Sequence, residues 1–271
     1  MLGSIAGDII GSVYEARNIH TTDFPLFHKD SCFTDDTVLT VALKDSLLHE
    51  VPFAKKLKEY YSLFPNAGYG KGFIRWASSS DFQPYNSRGN GSAMRVSPIG
   101  FAFDSLNIVL EEAKKSAEVT HNHPEGIKGA QAIAASIFLA RTGKSKEEIQ
   151  SFAESKFGYD LNKSLNQIKM KNSMDISCQA TVPPAIIAFL RAKSFEDTIR
   201  KAIALGGDSD TIACMAGGIA QAYFKEIPKV IRRKVLQNLD PQLRKIVYKF
   251  NRKYNVGQFT FIDRLATVIK L

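Results

Sequence analysis

Cysteine is scarce in this chain: Cys32, Cys178 and Cys214 are the only three in 271 residues. Their number is odd and no two share a paired spacing, so a disulfide framework is not expected and reduced thiols in a cytoplasmic protein are. Long hydrophobic runs are missing as well. The longest, around Ala185–Leu190, is far short of the ~20 residues that cross a bilayer, so no membrane association is expected. Met1–Gly7 holds no basic residue and Asp8 interrupts the apolar start, which is not the pattern of a targeting segment. Nor do β-branched residues alternate with polar ones over successive strands, so the chain reads as all-α. Acids are rare in one place: Lys225 to Lys253 carries ten basic residues against Glu226 and Asp240. No aromatic-interleaved or Gly-rich recognition motif accompanies those cations, which favours a solvated surface over nucleic-acid binding. Two amphipathic helices are expected there, Val230–Leu239 and Pro241–Tyr254. Val230, Ile231, Val235, Leu236 and Leu239 would face the core.

The rest of the composition is ordinary for a globular protein, with 44% hydrophobic and 23% charged residues and a net charge of +9. One domain over 1–271 is expected, as a monomer. The most informative stretch is Gly206–Gly218, GGDSDTIACMAGG. Two glycines close the preceding helix, predicted over Phe195–Leu205. Asp208 and Asp210 flank Ser209, Thr211 follows, and then come small apolar residues that let a helix lie close against its neighbours. One capping side chain would serve that helix start. Two carboxylates in a dry turn instead repel, and one would take up a proton unless a cation neutralised both.

A second cluster of the same kind precedes the helix predicted over Val38–Leu48: Thr34-Asp35-Asp36. The two clusters together offer six oxygen-bearing side chains. That inventory suits two Mg²⁺ or Mn²⁺ ions sharing carboxylates and keeping several waters. Upstream, Gly7-Asp8-Ile9-Ile10-Gly11 lies on a helical pattern with glycines four apart. Asp8 on that buried face needs a polar partner. Glu15 follows where the pattern stops, in position for a general acid or base.

Further along, Asn86-Ser87-Arg88-Gly89-Asn90-Gly91-Ser92 precedes an apolar, helix-like Ala93–Ile99, in a loop-rich region with a short helix around Phe73–Ala77. A glycine-rich loop before a helix can present backbone N–H groups to phosphate oxygens. The spacing matches neither a P-loop nor a dinucleotide fingerprint. Thr120-His121-Asn122-His123-Pro124 opens a small-residue helix over Gly126–Thr142. Without a cysteine pair or a second histidine spacing to complete a zinc site, a satisfied or ligand-bonding histidine is the better reading. Two further helices are predicted from Leu139 to Met174, and a buried one starting at Pro183-Pro184.

These motifs, in this order, resemble the ADP-ribosylglycohydrolase family, which includes dinitrogenase-reductase-activating and ADP-ribosyl-acceptor hydrolases. The resemblance rests on Gly7-Asp8-x-x-Gly11 with Glu15, Phe33-Thr34-Asp35-Asp36-Thr37, Asn90-Gly91-x-Ala93-Met94-Arg95, Thr120-His121-x-His123-Pro124 and Gly206-Gly207-Asp208-Ser209-Asp210-Thr211. It runs to about residue 224 and weakens past Lys225. It implies a compact orthogonal helical bundle with a two-metal centre. Thr34, Asp35, Asp36, Asp208, Asp210 and Thr211 fall at the family's ligand positions, and Glu15 at an acidic position on a flap. Ser87, Gly89, Asn90, Gly91 and His121 fall where the family holds the diphosphate and riboses, although residues 86–88 depart from the expected glycine-rich form. The implied activity is metal-dependent hydrolysis of the bond between ADP-ribose and an acceptor on a protein or a small conjugate. Asp35 or Glu15 would handle the proton. The alternatives are an ADP-ribosylated nucleic acid or O-acyl-ADP-ribose substrate, or a non-catalytic ADP-ribose-binding relative.

Overall fold

A computed structural model describes residues 1–169 and 175–257. Helices α1 (Gly3–Gly11), α2 (Asp35–His49), α3 (Phe53–Leu63) and α4 (Lys71–Ser78) are followed by two short ones, α5 (Gly91–Met94) and α6 (Ser97–Ala102). Then come α7 (Leu106–Glu118), α8 (Pro124–Arg141), α9 (Lys146–Phe157), α10 (Cys178–Leu190) and α11 (Phe195–Ala204). The last are α12 (Ser209–Phe224), α13 (Lys229–Asn238) and α14 (Pro241–Lys253). Among the described residues no strand forms; Gly89 and Ser177 make one isolated antiparallel bridge. Among the described residues no helix is long and apolar enough to cross a membrane. All three cysteines are free.

The bundle is built around α12, buried from Ser209 to Ala222. Helices α1, α8, α10 and α11 pack on it. The tightest contact is with α1, every residue of which is buried. A Cβ on Gly3 would lie 2.3 Å from the carbonyl oxygen of Gly217, one on Gly7 2.0 Å from that of Ala213, and one on Gly11 2.4 Å from Cα of Asp210. The two helices therefore run antiparallel with backbone against backbone, a separation only glycine permits. The N-terminal N–H groups of Leu2 and Gly3 are satisfied by Gln221 Oε1, at 2.8 and 2.7 Å, so α12 caps α1. This arrangement carries the C-terminal end of α1, with Asp8 and then Glu15, to the N-terminal end of α12.

Several local expectations change in the structure. The apolar stretch Ala93–Ile99 is split between α5 and α6: Pro98 has no N–H to continue the α5 ladder to the Met94 carbonyl, and it sits instead in the first turn of α6, where no donor is needed. Helix α10 begins at Cys178 rather than at Pro183. Ser177 caps it by accepting from Ala180 N–H, and both prolines sit inside the helix. Of the two helices predicted between Leu139 and Met174, the described residues show α9; the chain then runs without a helix to Lys169, and 170–174 lie outside the described residues. In α13 Val230 is 73% exposed, while Ile231, Val235, Leu236 and Leu239 are buried as expected. Basic helix α14 sits far from the acid clusters. Lys253 Nζ and Tyr254 Oη donate to the carbonyl of Leu47, about 20 Å along α2 from Asp35.

Candidate metal centre and binding cleft

The two acid clusters meet. Carboxylate oxygens of Asp8, Asp36 and Asp210 lie within 4.8 Å of one another, and so do those of Glu15, Asp208 and Asp210. The positioning is local in origin. Gly206 and Gly207 both take positive φ, 76° and 68°, a pair of left-handed residues that turns the chain sharply from α11 into α12. Asp208 holds the N-cap position of α12, yet its side chain makes no capping bond. Its Oδ2 accepts instead from Asn90 Nδ2 at 2.7 Å. At α2 the capping reading is right: Thr34 Oγ1 accepts from Asp36 N–H at 3.3 Å.

Asp8 plays a different part from its neighbours. Its oxygens accept from Thr34 N–H at 3.0 Å, Thr34 Oγ1 at 2.7 Å, Thr37 N–H at 3.1 Å and the Thr37 hydroxyl. With four donors on it, Asp8 braces the start of α2 and orients Thr34. Asp36 is less satisfied. Its Oδ2 accepts from Thr211 Oγ1 at 3.0 Å, but its buried Oδ1 has no partner. Asp210 Oδ1 accepts from Thr211 N–H at 2.8 Å, and its carboxyl also lies within hydrogen-bonding reach of Asp208. An orphaned buried carboxylate oxygen beside two acids in contact is the environment a hard divalent cation relieves, so these residues fit one. Asp35 lines the same cleft without joining either triad; a Cβ on Gly68 would lie 3.7 Å from its Oδ1.

Protonation follows from the crowding. Burial is the main cause in every case, with neighbouring acids next for Asp35, Asp36, Asp210 and Glu15. Asp35 is pushed up to about 8, by burial and then by the charges of Asp8 and Asp208. Asp8 rises only to about 6, because its four donors offset part of the burial. Asp36 and Asp210 go well above the ordinary carboxylate range, and Glu15 also rises. Each acid then binds its proton more tightly folded than unfolded, so stability without a cation falls as pH rises from the unfolded value near 4 through these folded values. The cation-free protein should melt roughly 4 °C or more lower at about pH 7 than at about pH 5, and excess Mg²⁺ should remove most of that difference. Calorimetric melts in chelator and in Mg²⁺ test this; a rise in melting temperature over that interval in chelator would contradict it.

Glu15, Asp35, Asp36, Asp208 and Asp210 line a cleft of about 320 Å³ together with Ser87, Gly89, Asn90, Gly91 and His121. Among these loop residues, Ser87 Oγ accepts from Gly89 N–H at 3.1 Å, and Asn90 N–H donates to the carbonyl of Ile176 at 2.8 Å. Those two backbone donors are thus engaged within the protein. His123 Nδ1 accepts from Glu125 N–H and caps α8, so the second histidine of the pair has a structural role. Sequence reasoning missed Asn18. Its amide grips Gly207 at both backbone atoms, 2.7 Å to N and 2.9 Å to O, and also bonds the carbonyls of Tyr14 and Glu15. It ties the Glu15 segment to the turn that carries Asp208. It lies in an unpatterned polar stretch 189 residues from its partner, so nothing in the sequence marked it.

A family model described as ADP-ribosylglycohydrolase matches residues 1–258. The chain belongs to the ADP-ribosylglycohydrolase family. The match extends beyond Lys225, where the recognisable motifs stop, so α13 and α14 are part of the family domain. Among its relatives is mouse ADP-ribosylhydrolase ARH3, 30% identical over 311 residues, covering 84% of this chain and 84% of that one. Another is ADP-ribosylarginine hydrolase Tri1 of Pseudomonas putida (strain GB-1), 27% identical over 263 residues, covering 83% of this chain and 69% of that protein. In fold the chain is similar to a solved structure titled ADP-ribosylglycohydrolase-related protein complex. The TM-score is 0.72 at 24% identity, over 95% of this chain and 96% of that one.

Proposed function

We propose that the cleft hydrolyses the bond between ADP-ribose and its acceptor, reversing ADP-ribosylation of protein side chains. The meeting of the two triads, whose acids Glu15, Asp36, Asp208 and Asp210 line the cleft, carries this reading, and the hydrolase relatives support it. Thr34, Asp35, Asp36, Asp208, Asp210 and Thr211 are the groups that would hold two divalent cations, Mg²⁺ or Mn²⁺. Such ions supply Lewis acidity toward water and toward the vicinal hydroxyls of a ribose.

The chain's own groups do the rest. Asn90 fixes Asp208, Asp8 fixes Thr34, and the carboxylates stabilise positive charge as the anomeric carbon loses its acceptor. Glu15, the acid of the second triad that comes from the segment after α1, takes a proton from the attacking water; Asp35, with its raised affinity for a proton, is the other group able to do so. The water oxygen bonds to the anomeric carbon as the bond to the acceptor breaks, and the proton taken from the water is passed to the departing acceptor. Basic helix α14 lies at the far end of α2, so nothing in its position favours a nucleic-acid substrate.

Glu15→Ala should lower turnover roughly a hundredfold or more while ADP-ribose affinity changes only a few-fold, because a proton-handling group acts on the reacting state. Equal losses in both would give Glu15 a ground-state binding role. The reading as a whole is tested on a panel of defined conjugates linked through arginine, serine, a nucleobase or an O-acetyl group. Release of ADP-ribose from a protein-type linkage is expected. Tight binding with no release from any conjugate would make the protein a reader.

A further inference from the structure

Two residues of the resemblance motifs have no role in this reading, and both are buried. The Arg95 side chain is fully enclosed; its NH2 donates to the carbonyl of Ser116 at 2.9 Å and to Thr120 Oγ1 at 2.7 Å. The same Thr120 oxygen lies 2.7 Å from His121 Nδ1. A guanidinium can only donate, so Thr120 accepts from Arg95 and must place its own hydroxyl hydrogen elsewhere. Thr120 is completely buried, and His121 Nδ1 is its other side-chain partner among the described residues. Were Nδ1 protonated, the hydroxyl hydrogen would be left unpaired in the interior, the costly arrangement for a buried donor. Nδ1 therefore accepts, and the ring's single hydrogen sits on Nε2. Burial, and then the Arg95 charge, keep the ring from taking a second proton.

Nε2 lies on the cleft side. A Cβ on Gly91 would approach it to 3.1 Å and one on Gly89 to 3.8 Å, so the glycines leave open the space in front of this nitrogen. We propose that Arg95 and Thr120 are positioning residues that fix His121 as its neutral Nε2–H tautomer, so that it offers one aimed hydrogen-bond donor to an oxygen of the bound ligand. The chain of polarity runs one way, from guanidinium to hydroxyl to imidazole to ligand. A ligand oxygen at the end of it needs a free lone pair, as a phosphate or ribose oxygen has. The identity of that ligand rests on the proposed function; the tautomer does not.

The test is the ¹⁵N spectrum of the His121 ring in the full chain at neutral pH, alongside ADP-ribose binding. The wild-type ring should show an unprotonated Nδ1 and a protonated Nε2. Thr120→Val keeps the shape and removes the hydroxyl. It should populate the other tautomer and weaken ADP-ribose binding roughly tenfold, and Thr120→Ser should restore both. A merely structural role for Arg95 and Thr120 would not move the ring's protonation pattern. A protonated Nδ1 in the wild type, a readout that needs no variant to fold, would overturn the proposal. So would a Thr120→Val ring with wild-type tautomer and affinity. If the wild type shows the expected ring but does not bind ADP-ribose, the proposed ligand falls while the tautomer assignment stands.

Discussion

Replacing Asp210 by asparagine should reduce ADP-ribose release on the order of a thousandfold or more while the helices stay folded. Asp210 belongs to both triads, so it is the one acid whose loss touches every place a cation would be held. The amide keeps the shape and can still accept from Thr211 N–H. It no longer repels Asp36 and Asp208, whose charges follow burial in raising the Asp210 carboxyl. In chelator the variant should therefore melt at the wild-type temperature or above it. In Mg²⁺ it should gain less than the wild type, because the cation has lost a ligand. Asp208→Asn should behave in the same direction. Turnover on a modified peptide and paired melts are the measurements, and near wild-type turnover would remove Asp210 from the site.

Gly7→Val should be the most destabilising substitution available in α1. The added Cβ would fall 2.0 Å from the Ala213 carbonyl oxygen and 2.3 Å from its carbon. Both are backbone atoms in the middle of α12, which cannot rotate away as a side chain could. Helix α1 would have to lift off α12, drawing Asp8 from Thr34 and Thr37 and moving the Glu15 segment. A loss of roughly 3 kcal/mol or more, or failure to fold, is expected. Gly70→Ala is the control. Nothing lies within 4 Å of a Cβ there, and its φ of −64° suits any residue, so its stability should change by less than about 0.5 kcal/mol. Urea unfolding of the two variants separates these cases; a Gly7→Val protein as stable as the wild type would contradict the backbone contact.

What could be read in advance was what repeats at short range. The glycines of α1, the small-residue run of α12 and the Thr/Asp clusters are each local patterns, and each formed the helix end or close contact expected of it. Asp8 was marked as a buried acid in need of a partner, and the structure supplies four donors from α2. What escaped was set by tertiary neighbours. Asn18 finds Gly207 across 189 residues, and an isolated asparagine carries no pattern that would announce it; Asn90 was marked by its motif, but its hold on Asp208 across 118 residues was not. The prolines of α10 misled because a proline near a helix start usually marks it, whereas Ser177 caps the helix earlier. Val230 follows the apolar period of α13 but points outward, since the helix meets the bundle through Ile231 and Val235.

The central claim is that two acid clusters, joined by the glycine contact of α1 with α12, hold divalent cations that the hydrolysis of an ADP-ribose conjugate requires. The most direct measurement is release of ADP-ribose from a defined conjugate by protein stripped with chelator, before and after Mg²⁺ or Mn²⁺ is returned. No release from the stripped protein and recovery on adding the ion are expected. Full activity in the metal-free protein would contradict the claim.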